Sequence, residues 1–140
     1  MNKHRLCAVS FLVVVMVWIT LPAFGQEKAK TEKMGVSVAR LVVGTGVENR
    51  EPAGVAETFP AATEKVYCFL EATNIPEDME VTFIWSHGGK EMLKTLLPLK
   101  MGPRWRTHAD KSLYGLKGDW KVEVRDAKGN LLKDVKFKVE

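Results

Sequence analysis

Seven short runs rich in β-branched and aromatic residues occupy the chain from Val36 to Val139, separated by turn-forming residues. They are Val36–Val43, Lys65–Ala72, Glu80–Ser86, Met92–Leu99, Arg104–Ala109, Trp120–Arg125 and Leu132–Val139. The last two alternate clearly. Trp120, Val122 and Val124 stand against Lys121, Glu123 and Arg125, and Val135, Phe137 and Val139 stand against Lys136 and Lys138. A period of two puts each set on one face of a strand. Gly88-Gly89 supplies the two positive-φ positions of a tight hairpin, and Lys128-Gly129-Asn130 turns the chain again. No segment in this region sustains a 3.6-residue repeat, so helices are not expected there.

A strand with one apolar face must be covered by a second layer. The expected fold class is therefore all-β: a single immunoglobulin-like antiparallel β-sandwich of about seven strands, preceded by an N-terminal signal helix. Cys68 and Trp85 are spaced much as a core cysteine and tryptophan are in such folds, but the second cysteine is missing. Val122 and Val124 stand where it would fall, so the likeness is architectural. The expected core holds Trp85, Trp120, Val122, Val124, Phe137 and Cys68, with Trp120 and Phe137 on opposite sides of the interior.

The first residues follow a different rule. Lys3, His4 and Arg5 precede an apolar run from Leu6 to Leu21, and Pro22-Ala23-Phe24-Gly25 places small residues before Gln26. That is the three-part pattern of a secretory signal. The expected organisation is a signal peptide over 1–25, a charged spacer over 26–35 and a β-sandwich domain over 36–140. Two outcomes stay open: cleavage after Gly25, or a retained anchor made by residues 6–24. Either one places the domain outside the cytoplasm, periplasmic or extracellular. Removing Lys3 and Arg5 takes the formal net charge from +4 to +2, too balanced for a nucleic-acid partner. Of the two cysteines only Cys68 lies beyond the leader, so no internal disulfide is expected in the mature chain.

One further pattern joins these segments. Asn49-Arg50-Glu51-Pro52, Glu57-Thr58-Phe59-Pro60, Val66-Tyr67-Cys68-Phe69, Trp85 with Gly89-Lys90, Arg104-Trp105-Arg106-Thr107, Gly118-Asp119-Trp120-Lys121-Val122-Glu123-Val124 and Phe137-Lys138-Val139 occur in that order. The chain in this respect resembles the bacterial family catalogued as domain of unknown function 2914, over roughly Leu41 to Glu140. The resemblance implies an exported or membrane-tethered β-rich module and implies no activity. The family pattern favours a bulky aromatic just beyond Thr107, where this chain has His108 and Ala109.

Arg104-Trp105-Arg106-Thr107-His108 is the stretch richest in chemistry. As a strand it puts Arg104, Arg106 and His108 on one face, with the guanidiniums about 7 Å apart. Such a pair suits a carboxylate, a phosphate or a sulfated sugar, because the planar fork binds oxyanions bidentately. The competing reading is a solvated face whose arginines pair with Glu51, Glu57 or Asp110. Tyr67 and Phe69 alternate with Cys68; if Cys68 faces inward, the two aromatics form an outward platform for a sugar ring or a partner. Alternatively, the N-terminal segment or the long loop from Thr45 to Glu64 covers them. Arg50, in that loop, is expected to support it as a buried clamp on a backbone carbonyl.

Catalytic and metal patterns are lacking. Beyond the leader there are two histidines, His87 and His108, and one cysteine, with no metal-ligand spacing, no Gly-x-Ser-x-Gly elbow and no phosphate loop. No cofactor and no catalytic residue are expected. The sequence points to a non-catalytic exported binding module that recognises a cell-envelope glycan or protein through Arg104, Arg106, His108, Tyr67 and Phe69, with Arg50 as support. An accessory assembly protein pairing edge to edge is the alternative, and an unrecognised enzyme is a third. Membrane contact is expected only through an uncleaved N-terminal helix.

Overall fold

The computed structural model describes residues 35–140. The expected signal segment, and the spacer apart from Gly35, lie outside the described residues. Ten strands follow one another and no helix intervenes: β1 (Ser37–Gly44), β2 (Gly46–Glu48), β3 (Glu51–Ala53), β4 (Thr58–Phe59), β5 (Lys65–Ile75), β6 (Met79–His87), β7 (Lys90–Leu99), β8 (Gly102–Ser112), β9 (Gly118–Asp126) and β10 (Leu131–Val139). The described chain is all-β. Each of the seven expected runs lies on one of the long strands β1, β5, β6, β7, β8, β9 and β10, apart from Val36, which precedes β1. The three additional strands are two or three residues long and fall in the segment read as a loop.

The strands form two open sheets and a small ribbon. One sheet has the order β1-β5-β8, the other β4-β10-β9-β6-β7, and β2 pairs with β3 alone. Local chemistry explains the hairpins. Gly88 and Gly89 both adopt positive φ (56° and 83°) between β6 and β7, the backbone a two-residue hairpin turn requires. In the β9–β10 turn the Asp126 carboxylate accepts hydrogen bonds from the backbone N–H groups of Lys128 and Asn130, both at 2.9 Å. Burial alone would raise the Asp126 carboxyl, but these donors and the Asn130 side chain outweigh it and hold it below its usual range.

The alternating apolar residues of both sheets meet in one core. Val66, Cys68, Leu70 and Ala72 of β5 are fully buried, as are Val81, Phe83 and Trp85 of β6 and Val122 and Val124 of β9. All the residues expected in the core are there. Burial drives the Cys68 thiol well above its ordinary range, so it is an inert apolar filler. Trp120 and Phe137 correct the expectation made for them. They do not face each other across the interior; they are register partners on neighbouring strands, stacked with centroids 5.9 Å apart. A short turn joins two adjacent antiparallel strands and keeps both side chains on the same sheet face. The opposite wall comes from β1, β5 and β8. Lys111 is also buried on that wall; its ammonium donates to the Ser112 carbonyl at 2.7 Å and lies over the rings of Tyr114 and Trp120.

Candidate functional site

The outer face of the three-stranded sheet carries the polar cluster. The β5–β8 register sets Glu71 opposite Arg106, Phe69 opposite His108 and Tyr67 opposite Asp110. The β1–β5 register adds Arg40 beside Glu71 and Val42 beside Phe69. Period-two alternation thus builds a row Arg40–Glu71–Arg106 above a row Val42–Phe69–His108. Arg104 stands one step further along β8.

Glu71 is the hub. It is 9% exposed. Its Oε1 accepts from Arg40 Nε at 3.1 Å and Nη2 at 2.9 Å, and its Oε2 from Arg104 Nη1 at 3.3 Å. Burial by itself would raise the Glu71 carboxyl, but the Arg40 hydrogen bonds and the charges of Arg40, Arg106 and Arg104 prevail and hold it below the usual carboxylate range. The Arg40 guanidinium is raised in turn, first by Glu51 and then by Glu71. A second carboxylate comes from above. Glu51 reaches Arg40 Nη2 at 2.9 Å and Arg106 Nη1 at 3.0 Å.

Glu51 sits on the β2–β3 hairpin, which folds over this face. Its turn is Asn49-Arg50, both at positive φ (51° and 61°). Asn tolerates that conformation; Arg does so at a cost. The hairpin seats closely on the end of β1, where Thr45 N–H donates to the Ala53 carbonyl at 3.0 Å. Gly44 permits this seat, since a Cβ there would strike the Ala53 carbonyl oxygen. Gly44→Ala is expected to destabilise the protein by about 1–2 kcal/mol and to loosen the hairpin. Thermal melts with amide exchange of residues 45–53 check it; unchanged exchange would show that the close approach is not needed.

Beneath the hairpin lies a cleft of about 710 Å³ lined by Val47, Arg50, Phe69, Arg104, Arg106 and His108 together with Trp105 and Thr107. Five of the six residues singled out in the sequence line it, and the sixth, Tyr67, borders it through an edge contact with His108 at 5.8 Å. Two expectations change. Phe69 is not part of an exposed platform: it is 1% exposed, with the Arg40 guanidinium of β1 5.0 Å from its ring centre, while Tyr67 is half-buried. Arg50 is not a buried clamp. Its side chain is exposed, and its own carbonyl accepts from Arg106 Nη1 at 3.5 Å. Of the partners expected for the arginines, Glu51 is one. Asp110 pairs with Lys65 instead, at 3.2 Å, and Glu57 borders the other sheet.

Arg40 and Glu71 escaped sequence reasoning. The available signal was a lone carboxylate in the apolar run of β5, two residues beyond Phe69 and so on the same outer face. A larger concavity of about 1040 Å³ lies on the outer face of the five-stranded sheet, but it is lined by four acidic and four basic side chains. The lining of the arginine cleft includes three arginines and no carboxylate, which makes it the better candidate for selective binding. Among the described residues no group of three or more histidine, cysteine or acidic side chains could hold a metal ion.

No curated protein matches the chain in sequence. Similar solved structures include a beta-glucosidase from Kluyveromyces marxianus (13% identity, TM-score 0.46, 76% of this chain and 14% of that one). Another is a beta-glucosidase from Listeria innocua in complex with glucose (8% identity, TM-score 0.46, 75% of this chain and 16% of that one). The chain spans only a small part of the length of either enzyme. Residues 78–139 match the family described as Protein of unknown function (DUF2914). That stretch contains Arg104, Arg106 and His108, while the similar tetrapeptides at 49–52, 57–60 and 66–69 lie outside it. Over residues 78–139 the chain is similar to the DUF2914 family.

Proposed function

We propose that this chain is a non-catalytic, exported binding module of immunoglobulin-like β-sandwich design that recognises a cell-envelope glycan or protein through the arginine cleft. The sandwich reading is supported by the strand orders β1-β5-β8 and β10-β9-β6-β7 and by Cys68 and Trp85 meeting in one core from different sheets. Export rests on the leader pattern of residues 1–25. The observation that carries the binding role is the cleft itself: three arginines and one histidine among its lining residues and no carboxylate among them. Arg50 at positive φ adds to it, because backbone strain is retained where something over-determines it. A catalytic role has less support. Glu71, the more buried of the two carboxyls paired with these arginines, is held below its usual range by Arg40, Arg106 and Arg104, which leaves it a poor proton donor.

The test is co-purification of the full chain with its ligand from the native envelope, comparing wild type with the Arg104→Ala/Arg106→Ala double variant. Each lost charge-assisted hydrogen bond is worth about 1.5–3 kcal/mol, so recovery is expected to fall by about tenfold or more. Undiminished recovery from a folded double variant overturns the reading. A second reading, edge-to-edge assembly, is favoured by β7. It is the free edge of its sheet and exposes Met92, Leu93 and Leu96, although Lys94 and Pro98 blunt it. It predicts a stoichiometric crosslinked partner that is indifferent to the double variant.

A further inference from the structure

Resting on that reading, we infer that the arginine cleft takes an oxyanion, a carboxylate or a phosphate, and that Glu51 is the built-in carboxylate which the incoming anion displaces. Three guanidiniums, Arg40, Arg104 and Arg106, converge on two carboxylates, Glu51 and Glu71. The two carboxylates are not equivalent. Glu71 stands in the middle of the central strand and is nearly buried. Glu51 is on a three-residue strand, its side chain is 46% exposed, and its strand belongs to a ribbon paired with no other strand.

Glu51 therefore already sits as a ligand would, with its two oxygens on two different guanidiniums. The cleft keeps donors in reserve. Arg104 is 57% exposed and holds one contact at 3.3 Å; the buried Arg106 Nε–H has no hydrogen-bond partner; and Arg50 and His108 stand exposed on the rim. An anion that replaces Glu51 at Arg106 gains these donors, and the freed hairpin uncovers Phe69 for an apolar or ring-shaped part of the same ligand.

The experiment is an NMR titration of the full chain with inorganic phosphate, and separately with acetate, at low ionic strength. Wild type, Glu51→Gln, Glu51→Ala and Arg104→Ala are compared. At least tenfold tighter phosphate binding is expected for both Glu51 variants and at least tenfold weaker binding for Arg104→Ala, with the Val47 and Phe69 signals moving on saturation. Acetate following the same order identifies carboxylate as sufficient; phosphate alone doing so narrows the class to phosphate. Equal or weaker binding of both anions by both folded Glu51 variants overturns the inference. If the anions behave as expected but the envelope ligand ignores the Arg104→Ala/Arg106→Ala change, the envelope reading fails and the anion site stands. If neither anion binds but that double variant loses the envelope ligand, the reverse holds.

Discussion

Trp120→Ala is expected to lower the stability of the protein by about 3–5 kcal/mol, the range for truncating a buried aromatic that the surroundings cannot fill in behind. The indole is 1% exposed and stacks on Phe137 at 5.9 Å, and Phe137 in turn meets Phe59 and Trp85 edge-on at 5.7 and 6.5 Å. Three strands of the larger sheet and the short β4 thus bear on one aromatic group. The Trp120 Nε1–H also donates to the Leu116 carbonyl at 3.0 Å, tying the β8–β9 connection to the core, and the Lys111 ammonium lies 5.7 Å from the ring. Truncation removes all three contacts and leaves a charged lysine facing a void. Urea unfolding at neutral pH measures the loss; a variant within 1 kcal/mol of wild type would show that Trp120 is not a keystone of this core.

Glu71→Gln is expected to cost about 2–3 kcal/mol near neutral pH. Removing one member of a fully buried pair costs roughly 3–5 kcal/mol, and the expected value is lower because Arg40, Arg104 and Arg106 keep 37, 57 and 27% of their side chains in water. The amide can still accept a hydrogen bond but leaves three like charges without their hub. The pH dependence gives a sharper signature. The folded-state carboxyl lies below its unfolded value, so the stability it confers is fully present above about pH 4 and is lost as pH falls through the folded value. The gap between wild type and variant therefore closes in acid. A gap that stays constant from pH 7 to pH 2.5 would mean that Glu71 acts by shape and not by charge. Asp126 adds an acid-sensitive contribution of the same sign, shared by both proteins.

The long strands were legible because each has an apolar face with a period of two, and burial enforces that period. Trp120, Val122 and Val124 announce themselves, and they are buried as expected. The short strands were not legible. Glu51-Pro52-Ala53 has no alternation to read, and its structure depends on Gly44 and on the ion pairs that Glu51 makes with β1 and β8. The site was half legible for the same reason. Arg104, Arg106 and His108 share a strand, so their common face follows from spacing alone. Arg40 and Glu71 join them only through register, which no local pattern encodes. Phe69 shows the limit from the other side: alternation correctly turns it away from Cys68, but only tertiary contacts decide whether that side meets water.

The two-residue strand β4 runs parallel to β10, with Thr58 beside Lys138 and Phe59 beside Val139, and backbone hydrogen bonds join Phe59 and Ala61 to Glu140. Eighty positions separate these register partners, so their meeting closes one of the widest loops among the described residues, the kind of contact that slows folding most. A polypeptide made or threaded residue by residue leaves Phe59 without its neighbour until Phe137 and Val139 emerge. Without residues 137–140 the same seam would stay open, leaving a wet aromatic edge and a tendency to clump.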